Sequence, residues 1–184
     1  MILITEMSDD LKGEIITALV TGIISIIGFI ITNNSMRKNF KNELIKQRDS
    51  IALEKMATMP FKVLDLMDKI IKSNNKEEEL ENFKNTMNEI YSYGSEKAIS
   101  IVALMQKENY AAREDLHKLN DLRVMSFYVL LATQIKYDVT GAYVNPEFWF
   151  NMRLNDFEEL RTGIKEANNQ LVKELNLNKK MNMA

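Results

Sequence analysis

IITALVTGIISIIGFIIT, residues Ile15 to Thr32, runs 18 positions without a charged side chain. As a helix it rises about 27 Å, close to the hydrocarbon thickness of a bilayer. A helix on a soluble surface interrupts its apolar stripe with charges where it faces water. None interrupts this one, and charges bound it at Glu14 and at Arg37-Lys38. A transmembrane helix is the expectation. Two alternatives compete with it. A cleaved signal peptide wants a basic leader and a small-residue cleavage site, but Glu6, Asp9, Asp10 and Glu14 outnumber Lys12, and Asn33-Asn34-Ser35-Met36 follows. A core helix of a soluble protein seldom stays uncharged for this distance.

The flanks set an expected orientation. Lys and Arg near a span tend to remain in the cytoplasm, and Arg37, Lys38, Lys41, Lys46 and Arg48 all lie on the C-terminal side. Residues 1–14 are therefore expected outside as a short tail, and everything after the span in the cytoplasm. The same five cations are candidates for contact with anionic lipid.

The span has two unlike faces. Ala18, Thr21, Gly22, Ser25 and Gly28 fall on one side at helical spacing, with Thr32 beyond them. Isoleucines cover the remainder. Small residues let helix backbones approach closely in lipid, and hydroxyls hydrogen-bond across the contact. This stripe is the candidate surface for self-association, or for lining a weakly polar lumen.

The rest of the 184-residue chain reads as all-α. Two Pro and six Gly leave little to break long helices. Residues 33–59 are expected to continue as a juxtamembrane stalk, with a thin apolar seam of Phe40, Leu44, Ile51 and Met56. Pro60 suits the first turn of a new helix, and residues 60–178 are expected to form a multi-helix bundle. Within it, apolar spacing places Phe61, Leu64, Met67 and Ile71 on one face, widened by Val63, Leu66 and Ile70, and Leu80, Phe83, Met87, Ile90 and Tyr91 on the next. A helix opening at Ser95 is expected to turn Ile99, Val102, Met105 and Tyr110 inward. Val124 to Thr133, VMSFYVLLAT, is the most apolar stretch outside the span and too short to cross a membrane, so it is expected at the centre of the core. Asn145-Pro146 announces a further helix, and Phe157, Leu160, Ile164, Ala167, Leu171 and Leu175 mark a long last one. The polar residues 179–184 are expected to fray.

Chemistry-bearing motifs are sparse. Neither a GxxxxGK[ST] loop nor GxGxxG is present. One His and no Cys leave a zinc site without its usual ligands. Glu114 and His117 have E-x-x-H spacing, but carboxylate-bridged di-iron bundles need that motif twice. No enzyme activity, metal or cofactor is expected, and a net charge of −2 gives no reason to expect nucleic acid as a partner. Tyr143, Phe148, Trp149 and Phe150 are the candidate partner surface. Three consecutive aromatics splay through about 200° of a helix, so they cannot all enter one core. The expected function is a single-pass, self-associating scaffold of the cell membrane that holds a cytoplasmic protein partner. The rival expectation is a membrane-disrupting or pore-forming effector of stress, toxin or antiphage type.

Overall fold

The computed structural model describes residues 9–72, 76–114 and 121–184. Among these every regular element is helical, and Ala142–Val144 forms no strand. The order is α1 (Asp9–Ala57), α2 (Met59–Lys72), α3 (Lys76–Tyr93), α4 (Glu96–Glu114), α5 (Asp121–Thr140), α6 (Glu147–Arg153) and α7 (Phe157–Glu174), closed by a 3-10 turn at Lys179–Met181. The chain divides into two compact units, one up to Asp49 and one from Ser50 onward. This boundary lies ten residues before the expected one, because Met56 and Met59 are buried in the core of the second unit. The start differs too. Residues 9–14, expected as tail, are already the first turns of α1.

The first unit is helix alone. Asn33, Asn34 and Ser35 do not break α1, since none removes a backbone donor as Pro would. Thr17 donates its hydroxyl to the Gly13 carbonyl at 2.9 Å, keeping that polar group satisfied within the helix.

The second unit is organised around α5, which packs against α2, α4 and α7. Its unbroken run from Ser126 to Ala132 is buried, which agrees with the expectation for VMSFYVLLAT. Two buried polar side chains of α5 are satisfied locally. Ser126 donates to the Leu122 carbonyl at 2.8 Å, and Gln134 donates to Asp138 at 2.8 Å. Asp138 also accepts from Ser95 Oγ at 2.7 Å, while the same hydroxyl accepts from the Ala98 amide. Ser95 thus caps α4, as its position suggested, and ties that cap to α5.

Two faces differ in part from expectation. On α2 Val63, Leu66 and Met67 are buried as expected and Met59 joins them, but Phe61 is 75 % exposed and Ile70 is exposed too. On α4 the buried line is Ala98, Ile101 and Met105, and Tyr110 is exposed. In both helices the alternative lines are nearly as apolar, and contact with α5 selects between them.

Arg123 joins three helices. It grips Glu108 of α4 with two nitrogens and Glu174 of α7 with a third contact at 2.6 Å, and its guanidinium lies 5.4 Å from the Phe127 ring. The Glu108 hydrogen bonds hold Arg123 charged more firmly than usual. Partial burial pushes the Glu174 carboxyl up, but hydrogen bonds from Arg123 and Gln170 outweigh it and the net shift is downward. A depressed carboxyl stabilises the fold above its ordinary pKa and loses that effect as pH falls through its folded value. Arg123→Ala should therefore lower stability by about 1–2 kcal/mol near neutral pH, because both carboxylates remain partly wet. Urea titrations at descending pH should find the gap from wild type narrowing below about pH 4.5. A gap that stays constant into strong acid would show that packing of the side-chain stem, and not its charge, matters.

The chain beyond α7 corrects the expected fraying of 179–184. Asn176 adopts φ 49°, the Leu177 amide donates to Val172 O and the Asn176 amide to Lys173 O. This is a Schellman stop, accompanied by its usual apolar contact, here between the buried Val172 and Leu177. Lys97 donates to the Leu175 and Asn176 carbonyls and covers the helix end. Met181 and Met183 are then 0 % and 2 % exposed. Their burial, with backbone bonds to α7 side chains, is why the segment is ordered.

Candidate membrane helix and exposed surfaces

The apolar part of α1 is hydrophobic on every side. Ile15, Ile24, Ile26, Phe29 and Ile31 are all exposed, and Phe29 is 71 % so. Among the described residues α1 is the one helix long and apolar enough to cross a membrane, and none of its 18-residue apolar window is buried. The core helix of a soluble protein would be mostly buried.

Ala18, Thr21, Gly22, Ser25 and Gly28 occupy an arc of about 120° on this helix. Nothing lies within 4 Å of where a Cβ would stand on Gly22 or Gly28. Contrast Gly163 of α7, whose added Cβ would meet Leu122 Cδ1 at 2.7 Å. Gly163 admits a neighbouring helix. The two span glycines admit nothing among the described residues, although each weakens the helix by about 1 kcal/mol relative to Ala.

The five cations after the span are exposed, and Arg48 pairs with the adjacent Asp49 at 3.1 Å. They do not share one face. Arg37, Lys41 and Arg48 lie within about 40° of one another beside the exposed Phe40, Leu44 and Ile51, whereas Lys46 falls about 180° from Arg37. The strip is amphipathic at three of the five positions.

The aromatic quartet is dispersed. Phe150 is fully buried with Phe157, Ile164 and Met183 in a second cluster, so it is core and no partner surface. Trp149 is half-buried and meets the Phe150 ring edge-on at 5.5 Å. Tyr143 stacks on Tyr137 at 3.8 Å and accepts a hydrogen bond from Asn178. Phe148 alone stands out at 63 % exposure, joined one turn later by Met152 at 79 %. Phe61 and Tyr91, which apolar spacing placed on inward faces, are exposed, and so is Met152, which spacing did not single out.

His117 lies outside the described residues, and with it the E-x-x-H motif. Among the described residues no group of three or more His, Asp or Glu side chains is placed to hold a metal. Asp65 pairs with Lys69 and Asp68 with Arg153, which accounts for these carboxylates as surface ion pairs. No family model, curated protein or solved structure matches the chain.

Proposed function

We propose that this chain is a self-associating scaffold of the cell membrane, anchored by Ile15–Thr32, with its helical body at the cytoplasmic face holding a protein partner. The observation that carries this reading is the unburied apolar window of α1. Exposed to water, that surface would drive aggregation; in lipid it is at home. Five basic residues on the C-terminal flank against Lys12 on the other support a body on the cytoplasmic side. Self-association is supported by span glycines that have nothing packed within 4 Å of an added Cβ among the described residues. Phe148 and Met152, one turn apart on α6, are the part of the aromatic surface left to meet a partner.

The test is mass in detergent by light scattering, for wild type and for Gly22→Ile with Ser25→Ile. Two bulky side chains on the stripe separate the backbones, and the mass should fall toward one chain. Ser25→Ala alone removes a contact worth about 0.6 kcal/mol and should change little. A wild-type mass in the double variant would sink the stripe as the contact. Orientation is checked by a reporter fused after Ala184, which should remain protected when protease is added outside intact cells. Inducing the protein should leave membrane potential unchanged; its collapse would favour a pore-forming effector instead.

A further inference from the structure

Charge is sorted by distance along the part of α1 that follows the span. Residues 33–42, NNSMRKNFKN, carry Arg37, Lys38 and Lys41 and no acid. Over residues 43–49 Glu43 and Asp49 balance Lys46 and Arg48, and Arg48 is paired with Asp49 at 3.1 Å. Arg37, Lys38 and Lys41 are exposed, and no ion pair engages them among the described residues. Because α1 runs unbroken from Asp9 to Ala57, height above the span follows from residue number. Arg37, Lys38 and Lys41 stand about 8, 9 and 14 Å beyond Thr32, and Lys46 and Arg48 about 21 and 24 Å. The headgroup layer is about 5–8 Å deep, and the Debye length at physiological salt adds about 8 Å. The first three cations fall inside that combined depth and the last two outside it. Helical side chains also lean toward the helix N-terminus, here toward the bilayer, so the long stems carry these charges back into the headgroups.

We propose that Arg37, Lys38 and Lys41 form a binding site for anionic lipid headgroups, with the exposed Met36 and Phe40 beside them at the interface, and that Lys46 and Arg48 take no part. Five cations flank the span, and a continuous helix narrows the lipid site to three. The occupant is anionic lipid because three uncompensated positive charges at one depth meet a surface of fixed negative charge. At the other end of the span Lys12 stands among Asp9, Asp10 and Glu14, a balance that such a surface repels. The site rests on the proposed anchor in one respect: Thr32 marks the edge of the hydrocarbon when Ile15–Thr32 spans it.

The full-length chain, carrying a photoreactive phenylalanine analogue at position 40, is reconstituted in vesicles of equimolar phosphatidylglycerol and phosphatidylcholine. After irradiation the lipid adducts are identified by mass. Each cation near a charged surface favours the anionic lipid by about fivefold, so the phosphatidylglycerol adduct should exceed the other by at least about tenfold. Arg37→Gln, Lys38→Gln and Lys41→Gln together should bring the ratio to unity, and Lys46→Gln with Arg48→Gln should leave it unchanged. A wild-type ratio of unity, or an equal loss in the two variants, overturns the proposal. The same analogue at position 29, inside the span, separates this failure from that of the anchor. Adducts with both lipids at 29 and no preference at 40 condemn the lipid site and spare the anchor. No lipid adduct at 29 in the wild-type sequence condemns the anchor and the site with it. Should only the triple variant lack adducts at 29, Arg37→Gln and Lys41→Gln decide singly. Each should lower the ratio several-fold, and wild-type ratios in both overturn the proposal. Inorganic phosphate added at constant ionic strength should leave the ratio unchanged. A fall to unity would assign the cations to soluble phosphate and overturn the lipid assignment.

Discussion

Phe150→Ala should lower the stability of the body by about 3–5 kcal/mol, whereas Phe148→Ala should stay within about 0.5 kcal/mol of wild type. The two residues are neighbours but one turn-fraction apart in direction. Phe150 is completely enclosed, with Phe157, Ile164, Val129 and Met183 around it and the edge of Trp149 against its ring. Truncation leaves a ring-sized void at the junction of α5, α6 and α7, and a backbone fixed by three helices collapses poorly into it. Phe148 faces outward and loses mainly area that water already reaches. Urea unfolding followed by Trp149, the chain's single tryptophan, measures both. Equal effects at the two positions would mean that α6 is turned about its axis from the orientation described. A binding partner, once found, should reverse the ranking: Phe148→Ala should weaken it while leaving the fold intact.

The contrast between these residues marks what sequence could and could not convey. Three adjacent aromatics had to diverge, and that followed from helix geometry alone. Which one entered the core depended on the phase of α6, set by contacts with α5 and α7 distant in sequence. The same holds for α2 and α4, where two neighbouring apolar lines competed and tertiary contact chose Val63 over Phe61 and Ile101 over Tyr110. The central position of α5 was legible because its apolar run has no second solution. The segment after α7 was not. Leu177, Met181 and Met183 are spaced four and two apart, which fits neither helix nor strand period, and their partners Asn168 and Asn169 look like ordinary surface amides. A glycine inside a helix, as at Gly163, reads in sequence as a weakness, and its close approach to Leu122 supplies the reason it is there.

The largest effect is expected in the span itself, from Ile23→Lys combined with Ile27→Lys. Both isoleucines are exposed on α1 near the middle of Ile15–Thr32. In the centre of a membrane helix an isoleucine contributes about −0.3 to −0.6 kcal/mol and a lysine about +2.5 to +3.5. Two exchanges should thus disfavour insertion by about 5–8 kcal/mol, reduced somewhat at position 27 because its longer reach toward the interface lets the ammonium snorkel. Even half that shift changes the partition by about seventyfold or more. The wild-type chain should resist extraction from membranes by alkaline carbonate, and the double lysine variant should be extracted or fail to reach the membrane. Ile23→Leu with Ile27→Leu keeps the apolar surface and should behave as wild type. The discriminating result is the behaviour of both proteins without membranes. If α1 were a core helix awaiting other chains, wild type would be soluble as a stable oligomer and the lysines would break that oligomer apart. If α1 belongs in lipid, wild type aggregates without detergent and the lysine variant becomes more soluble than its parent. Carbonate-extractable wild type, soluble and of defined mass, would overturn the anchor and with it the cytoplasmic placement that the basic flank supports.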